Sequence, residues 1–254
     1  AGPGAPACDG AAFGTAPALL PWGKAARVAA ISALSALGAV LLGLEIGHIG
    51  PISESRSFKR DVADVGDGSI PSGTEGLIVS LFSIGAMLAA CPLVSSPFLE
   101  SRGRKVSIMV GCIVFIFGSV LQAAAWTSDQ LLAGRFVTGM AIGLLSSAVV
   151  LYQSELATSS FRGALSALYQ LGITYGIWLA ALLDQLFVDR EEGWRIVIGI
   201  ICAPAILLFV GMIFLPRSPR WLVQRGRRRE ALMVLLTIRS EEEAVREEQD
   251  IHQE

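Results

Sequence analysis

Residues 194–215 read WRIVIGIICAPAILLFVGMIFL, and apart from Arg195 this stretch contains no charged residue. As an α-helix, it extends about 33 Å, which is enough to cross the hydrocarbon core of a bilayer. Five further apolar runs of similar length precede it, at 28–50, 74–94, 107–126, 130–151 and 164–187. Because lipid offers the backbone no hydrogen-bond partners, each run is predicted to form a transmembrane helix.

The composition also indicates a membrane protein and disfavours other classes. The 254 residues are 53% hydrophobic and 17% charged, with a mean hydropathy of +0.59, whereas soluble domains contain about 25% charged residues. The net charge of −2 gives no indication of nucleic-acid binding. The four cysteines form no C-x-x-C pair, and no span holds paired Asp residues, a His-rich cluster or a nucleophile beside a base. The sequence therefore predicts neither a metal site, nor a cofactor, nor an enzyme.

The chain divides into three parts. Residues 1–23 are rich in Ala, Gly and Pro and are predicted to be a disordered cytoplasmic tail. Residues 24–215 contain the six apolar runs and are predicted to form an all-α bundle of six transmembrane helices. Residues 216–254 are polar and amphipathic, and are predicted to form one or two short cytoplasmic helices. The sequence lacks an initiator Met, and we expect a fragment or a processed form.

The distribution of Lys and Arg predicts the orientation in the membrane. With the N-terminus inside, 14 of the 20 basic residues fall in cytoplasmic segments, five fall in outer segments, and Arg135 lies within a span. Because cytoplasmic loops carry an excess of Lys and Arg, both termini are predicted to be cytoplasmic. The segment 51–73 is then the longest outer connection.

Two charged residues lie deep within predicted spans. Glu45 lies about five residues before the outer end of span 1, and Arg135 lies about five residues after the outer start of span 4, so both are roughly 8 Å below the outer boundary. Charges are costly inside a bilayer. The two side chains therefore either pair with each other or extend separately to the interface, and their matched depth favours pairing.

Span 5 carries a polar face. Gln170, Thr174 and Trp178 are spaced at i, i+4 and i+8, which places them on one side of a helix. They offer an amide, a hydroxyl and a stacking surface. This face either binds a hydroxylated ligand or forms a hydrogen bond to a neighbouring helix, and the residues alone leave both readings open.

Two further patterns concern packing and the inner face. Gly139 and Gly143 form a G-x-x-x-G pair in span 4, which is typical of close helix packing. Glu155, Arg162 and Arg220 are far apart in the sequence but all fall at the predicted inner face. They form either an inner charge network or a set of separately solvated loop charges, although the second reading does not explain Glu155.

The chain contains an ordered set of short motifs: Leu42-Gly-Leu-Glu45-Ile-Gly47, Ser101-Arg-Gly103-Arg104-Lys105, Gly134-Arg135-Phe136, Tyr152-Gln-Ser-Glu155, Arg162-Gly163, Gln170-Leu-Gly-Ile173, Trp194-Arg195 and Pro216-Arg-Ser-Pro219-Arg220-Trp221-Leu222. From span 1 to the end of the chain, this set resembles the sugar porter family of the major facilitator superfamily. Each motif alone is weakly specific, whereas their order is specific.

The resemblance implies a fold and a set of roles. The fold would be the N-terminal half of a major facilitator transporter, with residues 216–254 beginning the helices between the halves. Sugar would be bound by Gln170 and Ile173, and we assign Thr174 and Trp178 to the same site because they share the polar helix face with Gln170. Glu45 would accept the coupling proton, with Arg135 as its partner. The inner network would comprise Arg104, Glu155 and Arg220, and we assign Lys105 and Arg162 to the same network.

The implied function is secondary transport of monosaccharides, coupled to protons, by alternating access of two halves around the sugar. The partners would be a sugar, a proton, the lipid bilayer and a C-terminal six-span half. We expect the bilayer to be the plasma membrane and not an organelle membrane. Three departures from the family motifs stand out: Glu45 replaces Asp, Ser101 replaces Arg and Arg217 replaces Glu. A facilitative sugar or polyol carrier, and a non-transporting sugar sensor or truncated membrane binding protein, stay open as alternatives.

Overall fold

In the computed structural model, residues 24–62, 70–156, 162–187, 190–238 and 243–246 are described. The longer described segments are helical, and none of the described residues forms a strand. The helices are α1 (Lys24–Gly47), α2 (Ile49–Glu54), α3 (Arg56–Asp61), α4 (Ser72–Ala90), α5 (Pro92–Arg102), α6 (Arg104–Ala123), α7 (Ser128–Leu156), α8 (Arg162–Phe187), α9 (Gly193–Phe214), α10 (Pro219–Gln224) and α11 (Arg228–Ile238).

The predicted number and order of spans are confirmed. Within the described residues, six helical segments are long and apolar enough to cross a membrane. They are α1 continued by α2, and then α4, α6, α7, α8 and α9. Two short helices, α10 and α11, follow the last span, as the amphipathic sequence there predicts. The predicted disordered tail at 1–23 lies outside the described residues.

The connection between the first two spans is partly helical. It contains α3, and residue Phe58 of this helix is fully buried. The ring of Phe58 meets the ring of Trp194 from α9 edge-on, with centroids 5.4 Å apart. This contact anchors α3 over the end of the bundle formed by α2, the start of α9 and the end of α8. We call this end the loop-1 end.

The second span ends four residues earlier than predicted. The helix stops at Ala90, Cys91 is extended with ψ of 129°, and α5 begins at Pro92. Proline disfavours helical backbone in the residue before it and lacks an N–H group, so it can begin a new helix but cannot continue the old one. The result is a break between α4 and α5 at the opposite end of the bundle, which also carries α10 and α11. We call this end the α10 end.

Glycines bring two pairs of helices into backbone contact. A Cβ atom added at Gly139 of α7 would lie 2.2 Å from the carbonyl oxygen of Phe82 in α4, and one added at Gly143 would lie 2.2 Å from that of Ala86. This confirms the packing reading of G-x-x-x-G. In the same way, Cβ at Gly43 of α1 would lie 2.1 Å from the carbonyl oxygen of Ile173 in α8. In the pairs α4–α7 and α1–α8, the two main chains are therefore in direct contact.

Candidate functional site: two buried ion pairs and a polar helix face

Glu45 and Arg135 form an ion pair between α1 and α7. Nη1 of Arg135 lies 2.8 Å from Oε1 of Glu45, and the two side chains are 1% and 2% exposed, respectively. The pairing expected from matched depth is confirmed, and extension of each side chain to the interface is wrong. The bundle itself encloses both charges, because α1 and α7 meet at this level.

Polar groups from two helices complete the environment of Glu45. The hydroxyl of Thr138 lies 2.9 Å from Oε1 of Glu45, and Nε2 of Gln122 in α6 donates to Oγ1 of Thr138 at 3.0 Å. The same amide nitrogen is 3.4 Å from Oε1 of Glu45. The carboxylate therefore sits at the end of a short hydrogen-bonded chain that links α6, α7 and α1.

Arg135 has its own surroundings. Its guanidinium carbon lies 4.8 Å from the centroid of the Phe82 ring in α4, and its Nε lies 3.4 Å from the carbonyl oxygen of Ile78. Contact with an aromatic face stabilises a desolvated guanidinium. Loss of the Glu45 charge would thus leave Arg135 with a second, weaker set of partners in α4.

Sequence reasoning missed Thr138 and Gln122. Both are polar residues that are fully buried within membrane-length helices. One signal for Thr138 was available, because it lies three residues after Arg135 and therefore on the same helix face. Nothing in the sequence tells which helix Gln122 meets. Near this group, His48 is 1% exposed, with Nδ1 3.0 Å from the carbonyl oxygen of Leu44.

The polar residues predicted on span 5 lie on an outward face of α8. Gln170 and Thr174 are exposed, and Trp178 is 57% exposed. The Thr174 hydroxyl donates to the carbonyl oxygen of Gln170 at 3.1 Å, and the Trp178 ring contacts that of Tyr175, with centroids 5.6 Å apart. Ile173 is half-buried, because its main chain packs against Gly43 of α1. It therefore lies at the edge of this face.

A second buried ion pair lies at the α10 end. Nη2 of Arg104 is 2.7 Å from Oε1 of Glu155, and the side chains are 8% and 4% exposed. The Ser218 hydroxyl donates to the other carboxylate oxygen of Glu155 and accepts a hydrogen bond from the backbone N–H of Trp221, at 3.3 Å. Ser218 is the N-cap of α10. One carboxylate in α7 thus holds both α6 and the start of α10.

The turn before Arg104 depends on glycine. Gly103 has a φ of +85°, a conformation that residues with a Cβ atom rarely adopt. A Cβ there would lie 3.0 Å from the Trp221 ring, whose Nε1 donates to the carbonyl oxygen of Glu100 at 2.8 Å. The loop between α5 and α6 therefore packs directly on α10.

The other residues predicted for the inner network occupy different positions. Nζ of Lys105 donates to the carbonyl oxygens of Ile213 and Leu215, at 3.0 and 2.7 Å, so it caps the end of α9 instead of binding Glu155. Arg220 lies in the first turn of α10 and is half-buried. Arg162 begins α8, but its side chain lies outside the described residues. The exposed Arg217 lies over the Trp221 ring, with 5.3 Å between the guanidinium carbon and the centroid.

The sequence matches a family model over most of its length. The model described as "Sugar (and other) transporter" matches residues 31–254. The chain belongs to this sugar transporter family. The expected resemblance to the sugar porters is confirmed.

The relatives of this chain in the sugar transporter family include proton symporters. The chain is 40% identical over 222 residues to the galactose-proton symporter of Escherichia coli (strain K12), covering 87% of the chain and 45% of the relative. It is 37% identical over 219 residues to the arabinose-proton symporter of the same strain, covering 86% and 44%. The glucose transporter GlcP of Staphylococcus epidermidis is 38% identical over 203 residues, covering 80% and 43%. The chain therefore spans less than half the length of these relatives.

Solved structures confirm the fold. The major facilitator superfamily proton:xylose symporter XylE, bound to a bromodeoxyglucose, superposes with a TM-score of 0.82 at 22% identity, covering 91% of this chain and 53% of that one. A partially occluded, inward-open form of XylE from E. coli gives a TM-score of 0.80. The all-helical, six-span bundle of this family member is thus a major facilitator fold, and the chain is a multi-pass membrane protein.

Proposed function

We propose that this chain forms one six-span half, corresponding to the N-terminal half, of a proton-coupled monosaccharide transporter that works by alternating access. The observation that carries the proposal is the enclosed Glu45–Arg135 pair, with Thr138 beside it. When a carboxylate in this position takes up a proton, it loses its charge and with it the attraction to Arg135. Membership of the sugar transporter family and the similarity to sugar-proton symporters support the substrate class.

The coupling mechanism follows from the contacts of Glu45. While Glu45 is ionised, it attracts Arg135 and holds α1 against α7. Protonation removes that attraction, and Arg135 retains the ring of Phe82 and the carbonyl oxygen of Ile78 as partners. The two helices are then free to tilt, which links proton uptake to the change of access.

The test is sugar uptake by vesicles that contain the complete transporter, with and without an imposed pH gradient. Wild-type protein should accumulate galactose when the gradient is present. Glu45→Gln, which mimics the protonated side chain, should abolish accumulation but leave exchange of labelled sugar. Uptake that ignores the gradient would favour a facilitative carrier, whereas sugar binding without uptake would favour a sensor.

We also propose that the exposed polar face of α8 forms one wall of the sugar site. An amide such as that of Gln170 is poorly accommodated by lipid, because it would lose all its hydrogen bonds. Exposed on a membrane-length helix, Gln170 therefore needs protein, water or substrate beside it. Gln170→Ala should weaken sugar binding by roughly five- to 150-fold, since a lost hydrogen bond to a buried partner costs about 1–3 kcal/mol.

A matched control is available for this variant. Gln130 at the start of α7 is a half-buried amide on a different helix, and it donates to the carbonyl oxygen of Ala124 at 3.1 Å. Gln130→Ala should leave sugar affinity unchanged. Equal affinities for wild type and Gln170→Ala, with lower stability of the variant, would make Gln170 a packing residue.

The second half of the transporter would cover α4 and α8. Of the six membrane-length helices, these two are the least buried by the described residues, and both expose rows of large apolar side chains. Sequencing the transcript beyond the codon for Glu254 tests this directly, since six more predicted spans should follow. A stop codon there would instead require a second chain or a second copy.

We further propose that both termini are cytoplasmic and that the protein lies in the plasma membrane. The Lys and Arg distribution supports the orientation. Single cysteines at Ser72 and Ser101, both exposed and at opposite ends of the bundle, allow a test in a background without native cysteines. An impermeant thiol reagent on intact cells should label Ser72→Cys alone, and a fluorescent fusion should mark the cell surface.

A further inference from the structure

A pocket of about 380 Å³ opens at the loop-1 end between α2, α8 and α9. Its walls are mostly apolar, with Pro51 and Ile52 on one side and Trp194 and Val197 on another. Pockets of this size hold small ligands when a few polar groups are also present. The polar groups here are contributed by Glu54, Ser55, Asp184 and Gln185.

Glu54 and Asp184 are the acidic side chains of this pocket, and among the described residues Asp184 has no hydrogen-bond partner. It is only 6% exposed, and neither of its carboxylate oxygens has a hydrogen-bond partner in the described part of the chain. Glu54, by contrast, is bound by Lys59 at 3.1 Å, and the Ser55 hydroxyl lies 2.9 Å from that of Ser57. A buried polar group without a partner is costly. The pocket therefore lacks a hydrogen-bond donor that a ligand would supply.

The surroundings favour a neutral donor over a cation. The guanidinium carbon of Arg195 already lies 4.3 Å from the centroid of the Trp194 ring, and that of Arg190 lies 5.8 Å from the centroid of Phe187. Each of these two cations covers one face of an aromatic ring that lines the pocket, and both repel positive charge. The exposed amide of Gln185 adds donors and an acceptor beside Asp184. The two carboxylate oxygens of Asp184 and the neighbouring amide of Gln185 could therefore form hydrogen bonds with adjacent hydroxyl groups of a polyhydroxylated molecule.

We propose that this pocket is an accessory sugar site, in which Asp184 accepts hydrogen bonds from two sugar hydroxyls and Gln185 binds a third. The inference rests on the proposed function for the identity of the sugar. Asp184 lies 14 residues after Gln170 in α8, a separation of about 21 Å along the helix. One monosaccharide cannot contact both residues, so the pocket is a second site at the loop-1 end.

The experiment measures protection of a single cysteine by sugar. Ala181 lines the pocket and is exposed, so Ala181→Cys is introduced into the full chain without its native cysteines. The rate of reaction with a soluble thiol reagent is measured in detergent at increasing D-galactose concentrations. Galactose should slow the reaction saturably. Adding Asp184→Ala should raise the half-protecting galactose concentration by roughly five- to 150-fold. Asp184→Asn keeps the size of the side chain, and it serves as a control for whether a change at this position disturbs folding.

The controls separate this site from the α8 wall. Arg60→Cys, exposed on α3 and outside the pocket, should react at a rate independent of galactose. Protection of Ala181→Cys should persist when Gln170→Ala is added. If protection disappears, it arises from galactose bound at Gln170, and the proposal of an accessory site is wrong. Three other results would also overturn the proposal. They are protection by choline but not by galactose, no protection by galactose, and protection by galactose that Asp184→Ala does not change. Vesicles without sugar uptake would refute the transport function but not a persistent, Asp184-dependent protection.

Discussion

The two buried ion pairs have the same chemistry but different structural positions. Glu45–Arg135 joins two helices in the interior of the bundle, and its further contacts come from α6 and α4. Arg104–Glu155 joins α6 to α7 at the α10 end, and its further contact is the N-cap of a short helix beyond the last span. The first pair is therefore embedded among membrane helices, whereas the second fastens a peripheral helix to them.

This difference separates two consequences of losing a charge. Removing one partner inside the bundle leaves the other charge surrounded by protein and remote from water, which is strongly destabilising. At the α10 end, Glu155 retains the Ser218 hydroxyl, and the helix that it holds can move into solvent. The Glu45–Arg135 pair should govern the stability of the bundle and its response to protons, and the Arg104–Glu155 pair should govern the attachment of α10.

The largest effect is expected for Arg135→Ala. Glu45 would remain buried without its cation, at a cost of about 3–5 kcal/mol in the free energy of unfolding. The measurement is the denaturation midpoint in detergent. The double variant Glu45→Gln/Arg135→Ala should be more stable than Arg135→Ala alone, because it removes the unpaired charge. Equal midpoints for these two variants would show that the cost lies in lost packing.

A smaller and more local effect is expected for Arg104→Ala. Loss of hydrogen bonds to a charged group costs about 1–3 kcal/mol, and α10 should detach more readily because Glu155 loses its orientation. Hydrogen exchange should become faster in 219–224 while α1 and α7 near Glu45 are unaffected. The neighbouring Lys105→Ala is the matched control, since it should loosen only the end of α9. Faster exchange throughout the bundle would remove the distinction between the two pairs.

The smallest effect is expected for Thr138→Val. The variant keeps the shape of the side chain but removes the hydroxyl that lies 2.9 Å from Glu45, which should cost about 0.5–1.5 kcal/mol. Thr138→Ser, which keeps the hydroxyl, should retain most of the stability in the same denaturation assay. If the serine variant is the less stable of the two, the methyl group of Thr138 matters more than its hydrogen bond.

The fold and the first ion pair were predictable because the bilayer imposes strong constraints. Six apolar runs gave the spans, and constant helix rise placed Glu45 and Arg135 at one depth. The same reasoning missed Gln122, since depth along one helix does not tell which neighbour it faces. It missed the break at Cys91 because the apolar run continues to Val94, although Pro92 was a signal for it.

Of the predicted inner network, the structure shows the contact between Arg104 and Glu155, but it places Lys105 elsewhere. Arg104 and Glu155 meet, but Lys105, its chain neighbour, points to the carbonyl oxygens at the end of α9. Successive residues of a helix point in directions about 100° apart, so adjacency in a motif does not imply a shared partner. Asp184 attracted no prediction because an acid in the last turn of a span ordinarily reaches water, whereas here α2 and α9 pack around it.

The glycine contacts have a genetic consequence. At Gly139, Gly143 and Gly43, the atom that an added Cβ would strike is a main-chain carbonyl oxygen of the facing helix. Where an added Cβ atom clashes with a side chain of the facing helix, a smaller residue at the facing position can relieve the clash. Here no substitution opposite removes the obstacle, because every amino acid carries that oxygen. A screen for suppressors of Gly139→Ala should therefore yield few substitutions at Phe82 itself. Compensating substitutions should instead occur at other positions, where they increase the distance between α4 and α7.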